Sequence, residues 1–155
     1  MPEVRRLAAG HRKLRNWTLA QVCRHLADTL FASIDGFDLR RHRFKRWFLC
    51  KPLLIYTYRF GIPRGYTVDP KLTPPREVEL AAALSDLTEA LARYRTHAGP
   101  LHPHPLFGRL RRKAWDRLHC FHCAHHLSFL IPEAVPPTTH RQGLGVLPGS
   151  SDSRA

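Results

Sequence analysis

Acidic residues are scarce in this chain. Asp and Glu together number 12 against 25 Lys and Arg, which leaves a net charge of +13. Such an excess can serve phosphate backbones. The basic runs at Arg5-Arg6, His11 to Arg15, Arg40 to Arg46 and Arg109 to Lys113, however, fall mostly between apolar-periodic segments or at their ends. That is where a solvated surface carries its charge. No helix-turn-helix, zinc-finger or RNA-binding pattern accompanies them, so a nucleic-acid partner is disfavoured. Long apolar runs are missing too. The longest stretch, Trp47 to Phe60, is cut by Lys51, Pro52 and Arg59 and is too broken to cross a bilayer, so no membrane partner is expected. The opening MPEVRRLAAGHRK has no apolar core of the kind a secretory signal needs, and a cytoplasmic location is the expectation. Cysteine is sparse: Cys23, Cys50, Cys120 and Cys123 do not amount to a disulfide scaffold in a chain of this size. No Ser-His-Asp order, P-loop or dinucleotide fingerprint is present.

What the chain does have is helical periodicity. With 155 residues and 43% hydrophobic content it can bury one core. Residues 3–9 predict a short helix, with Val4 and Leu7 one turn apart and Gly10 ending it. Thr18 is a good N-cap for a helix to about Ile34, whose stripe is Leu19, Val22, Cys23, Leu26, Leu30 and Ile34. Phe44 to Tyr58 predicts a shorter helix that Pro52 kinks or restarts. Residues 60–75, rich in Gly and Pro, read as a long irregular connection that could cover one end of a pocket. A strong helix is predicted from about Arg76 to His97 on the spacing of Leu80, Leu84, Leu87, Leu91 and Tyr94. A Pro-rich turn follows, in which His102 and His104 are expected to face solvent, and a last helix spans about Leu110 to Leu130. The fold class is therefore all-α, with a four-helix bundle as the simplest way to bury these stripes. Residues 1–134 form the one domain, and 135–155, poor in apolar anchors, a disordered tail.

The most unusual stretch is Trp115 to Phe129, which carries His119, His122, His125 and His126. On a helical wheel Trp115, Leu118, His119, His122, His126, Phe129 and Leu130 share one face, with His125 at its edge. Imidazoles on an inward face need partners, and a metal ion is one. His122 and His126, four apart, stack on one side of a helix, as two ligands from a single helix must. Histidines pairing with each other and with backbone, without metal, is the plainer alternative. Trp115, Leu118 and Phe129 serve core packing whatever else they do. A zinc site from His119, Cys120, His122 and Cys123 would need ligands spread around one helix to converge, so the cysteines are better read as small hydrophobes.

Three passages together resemble the DinB-like (YfiT-like) superfamily of metal-dependent four-helix bundles, and within it a branch known only as a domain of unknown function. The first is Gly10 to Phe37, with Trp17, Gln21, His25-Leu26-Ala27 and Gly36-Phe37. The second is Gly61 to Gly65. The third is Pro105 to Leu110, then Trp115, then His122-x-x-His125-His126-Leu127. The resemblance covers roughly residues 4–131. It implies a divalent metal (Zn, Ni, Mn or Fe) held by His25, His122 and His126. It also implies a small-molecule substrate, with a low-molecular-weight thiol as partner in some members, and a homodimer. With three imidazoles and an open position, the metal could activate thiol or water for transfer or hydrolysis. Trp115 and Phe129 would wall the pocket, and Gln21 could orient His25 through its second ring nitrogen. His125 and His119 are left as second-shell groups or alternative ligands, and no catalytic residue is assigned. The alternative function is a non-catalytic metal-binding or stress-related bundle.

Overall fold

The structure is a computed structural model that describes residues 1–38, 43–62 and 70–133, with backbone alone for 43–51. Among these residues the fold is mostly helical, with five α-helices, one 3-10 turn and a two-stranded sheet. The helices are α1 (Pro2–Ala9), α2 (Leu19–Asp35), α3 (Arg43–Phe60), α4 (Leu80–Thr96) and α5 (Arg112–Leu127). The strands are β1 (His11–Lys13) and β2 (Leu130–Pro132). None of the described helices is long and apolar enough to cross a membrane. The expected tail, 135–155, and most of the Gly61 to Gly65 passage lie outside the described residues.

Helix α2 is the central element. Its start is set by a capping box: the Thr18 hydroxyl accepts from the Gln21 N–H, and the Gln21 side chain accepts from the Thr18 N–H. Its end is set by Gly36, whose φ of 111° favours glycine. A side chain there would also meet the His102 ring, with a Cβ only 3.1 Å from its Nδ1. Leu19, Val22, Cys23, Leu26, Ala27, Leu30 and Ile34 are all buried, and α4 covers α2 through Ala83, Leu87, Ala90 and Tyr94. Val4 and Leu7 of α1 close the same core.

Two boundaries and one interior position differ from the sequence expectation. Helix α4 starts at Leu80 rather than Arg76, because the Glu79 carboxylate sits at the cap and accepts the N–H groups of Ala81 and Ala82. Helix α3 continues through Pro52 rather than restarting there. Helix α5 stops at Leu127, and Leu130 leaves helical geometry to pair with Lys13 in an antiparallel ladder. That ladder, with the Leu14 N–H on the Phe129 carbonyl at 2.8 Å, ties the beginning of the chain to the end of α5. At the far end of the molecule, Arg112 joins α5 to α4 by donating to the carbonyls of Tyr94 and His97.

Candidate metal centre

His25 lies in the middle of α2, and His122 and His126 lie one turn apart on α5. The packing of α5 on α2 brings their rings together: one nitrogen from each lies within 4.8 Å of the others. His122 Nε2 is 3.1 Å from His25 Nε2 and 3.0 Å from His126 Nε2. His25 is 1% exposed and His126 8%.

The protons on these rings can be counted. His25 Nδ1 is 2.8 Å from the Leu72 carbonyl, which only accepts, so Nδ1 carries the hydrogen. Burial holds the His25 pKa below the ordinary histidine value. The ring is therefore neutral and its Nε2 presents a lone pair. Burial, then the neighbouring His126 and His25, pushes His122 well down, and burial pushes His126 to about 3. All three are neutral at pH 7, the form in which imidazole binds a metal. A ring nitrogen has one in-plane site, holding either a hydrogen or a lone pair. His122 Nε2 can thus complete a hydrogen bond with one of its two neighbours but not both. With three neutral rings, one contact near 3 Å always lacks a bridging proton. A cation among the three nitrogens removes that conflict, so the donor set fits a divalent ion.

The surroundings differ from the expected ones in several places. The group on the second ring nitrogen of His25 is the Leu72 carbonyl, not Gln21. Gln21 is occupied by the capping box and by the carbonyls of Pro75 and Arg76. It still serves the site indirectly, since it anchors the strand of chain that follows Leu72. The aromatic wall is Trp17, stacked on His126 at 5.4 Å between ring centroids and tilted against His25 at 5.0 Å. Trp17 sits in a loop with no periodicity to mark it. Trp115, 1% exposed, instead packs two turns away between Phe37 and His119. Phe129 lies past the end of α5, against His125 and beneath the Arg15 guanidinium.

His125 meets His126 edge-on at 5.1 Å and is outside the three-nitrogen group. His119 also stands apart, between Trp115 and Tyr94, and burial lowers its pKa to about 4. The buried Trp115 Nε1 and His119 Nε2 have no hydrogen-bond partner among the described residues. His104, expected in solvent, is packed among Phe37, Phe107 and Trp115. Its proline-rich setting hid the reason: Nδ1 accepts the N–H groups of Leu106 and Phe107 and so holds the turn together. His102 is exposed, as expected. Burial raises the Cys23 and Cys123 thiols to about 11, so both stay protonated, as small hydrophobes do.

No curated protein and no solved structure matches this chain. A family model does match, over residues 1–133 and so over the whole three-histidine arrangement, and the chain belongs to that family, described as "Protein of unknown function (DUF1569)".

Proposed function

We propose that this protein binds one divalent cation through His25, His122 and His126, within a DinB-like four-helix bundle formed by α2, α3, α4 and α5. The observation that supports it is the convergence of three neutral imidazoles whose protons cannot satisfy both contacts of His122 Nε2. Separations of 3.0 and 3.1 Å come close to the spacing of about 3.4 Å that tetrahedral zinc–nitrogen bonds impose. All-imidazole ligation suits Zn²⁺, Ni²⁺, Mn²⁺ or Fe²⁺.

Three protein ligands leave a coordination position open, which is the arrangement of catalytic sites. When bound, the cation supplies Lewis acidity that makes a water or thiol nucleophilic at neutral pH. The reaction class we assign is transfer or hydrolysis on an electrophilic small molecule, with a low-molecular-weight thiol or water as nucleophile. The chain's own residues do the positioning. The Leu72 carbonyl fixes the tautomer and orientation of His25, as partners of metal-bound histidines do. Trp17 holds the His126 ring by stacking. Burial keeps all three imidazoles neutral. A homodimer and a cytoplasmic location are expectations of the same reading.

The test is metal content of the purified protein by mass spectrometry beside His122→Ala. About one ion per chain in the wild type and little in the variant is the expected result. Full metal content in the variant would overturn the ligand set. No metal in the wild type after incubation with Zn²⁺, Ni²⁺, Mn²⁺ and Fe²⁺ would overturn the function.

A further inference from the structure

At the α4–α5 end of the molecule, Gly99 to Pro103 and Arg109 to Arg112 enclose a groove of about 490 Å³. That is within the range of small-molecule sites, about 300–1,000 Å³. Its lining is mostly apolar, from Pro100, Leu101 and Leu110 among others, and includes Arg109, Arg111 and Arg112 but no Asp or Glu. The carboxylates nearby are already engaged. Asp35 accepts both terminal nitrogens of Arg93 at 2.6 Å, and Asp116 accepts Arg112 Nε and the Tyr94 hydroxyl, each at 2.9 Å. Arg109 and Arg111 have no ion-pair partner among the described residues. Among the described residues, two exposed arginines on this groove are therefore without a carboxylate partner.

We propose that this groove binds the phosphate group of an anionic ligand through Arg109 and Arg111. A phosphate monoester carries about −1.5 to −2 charges near neutral pH, which matches two free guanidinium groups. Their planar donor forks suit its oxygens. The apolar lining offers contact for the organic part of the ligand. The walls are fixed in advance. Arg112 donates to the His97 and Tyr94 carbonyls at 2.9 and 2.8 Å, and its guanidinium lies 4.2 Å above the Tyr94 ring. The His102 N–H donates to the Ser33 carbonyl at 2.8 Å, and His104 pairs with Gly108 through both backbone hydrogen bonds. A groove held this way loses little entropy when it takes a ligand. It is also remote from the three histidines. Arg111 precedes His122 by a run of α5 about 16 Å long at 1.5 Å per residue, so this site does not depend on the proposed metal.

The experiment is a calorimetric titration of the full chain with inorganic pyrophosphate, and separately with a short single-stranded oligonucleotide. The comparison proteins are an Arg109→Ala/Arg111→Ala double variant and Arg12→Ala, which removes an exposed charge from β1. Saturable pyrophosphate binding is expected, weaker by about tenfold or more in the double variant and unchanged in Arg12→Ala. Thermal unfolding of the double variant should match the wild type. Tighter binding of the oligonucleotide, with the same loss, would identify the source as a nucleic-acid backbone; pyrophosphate binding alone would identify a small phosphorylated molecule. Treatment with a chelator should leave the affinity unchanged, and a loss on chelation would place the phosphate at the histidines and overturn the groove. Absence of saturable binding to the wild type, or binding that survives in the double variant, would overturn it as well.

Discussion

Replacing His104 separates two roles that one ring performs. Its Nδ1 accepts two backbone N–H groups, from Leu106 and Phe107, both at 3.1 Å. Its ring lies 4.7 Å from that of Phe107 and 5.4 Å from that of Trp115. His104→Leu keeps an apolar filling but removes the acceptor. Each backbone donor then loses a bond worth about 1 kcal/mol, or more where water cannot replace it. The total is about 2–4 kcal/mol, which lowers the melting temperature by roughly 5–15 °C in a domain of this size. His104→Asn places an amide oxygen near the former Nδ1, so it should recover at least half of that loss.

The same ring carries a pH signature. Burial, with nearby His119, lowers the His104 pKa to about 3. In the unfolded chain it titrates near about 6.5. Above that pH both states are neutral and the stability is fully present. As the pH falls from there toward 3, the unfolded state takes up a proton that the folded state refuses. Stability then drops by about 1.4 kcal/mol per pH unit from this group. Urea denaturation at pH 7 and pH 5 should show His104→Asn losing about 2 kcal/mol less between the two than the wild type. Equal destabilisation by Leu and Asn would refute the acceptor role. An unchanged pH slope would refute the claim that the ring stays neutral in the folded protein.

The proposed metal should reveal itself in stability. An ion at about a thousandfold excess over its dissociation constant adds about 4 kcal/mol, or roughly 8–16 °C. Thermal melts should show that gain in the wild type with the right ion and none in His25→Ala or His126→Ala; an equal gain in the variants would sink the assignment. Gly36→Ala forces a side chain into a φ of 111° and against the His102 ring. It should cost about 1–3 kcal/mol in chemical denaturation, and a neutral outcome would show that the end of α2 relaxes freely.

Several features were legible in the residues because they are local. Thr18 followed by Gln21, then apolar residues three and four apart, specify α2 and its start without help from the rest of the chain. The four-residue spacing of His122 and His126 places both on one face in any helix. What escaped depended on contacts distant in sequence. Leu130 reads as a continuation of α5, yet it pairs with Lys13, more than a hundred residues earlier. Trp17 lies in a loop, and only the approach of α5 to α2 sets its ring on His126. His104 looked solvated because Pro103 and Pro105 flank it, and its ring packing came from Phe37 and Trp115 on other elements.

The amino-acid sequence by itself determined the existence of the helices, the Thr18 cap of α2 and the pair of imidazoles on α5, since these follow from neighbours within a turn or two. Tertiary structure decided which atoms meet. It brought His25 Nε2 to 3.1 Å from His122, and it gave the other nitrogen of His25 to the Leu72 carbonyl rather than to Gln21. It used up Asp35 and Asp116 on Arg93 and Arg112, which left Arg109 and Arg111 without an ion-pair partner among the described residues. The reason is geometric. Periodicity fixes the direction of a side chain relative to its own helix, whereas the partner it finds depends on how that helix packs against the others.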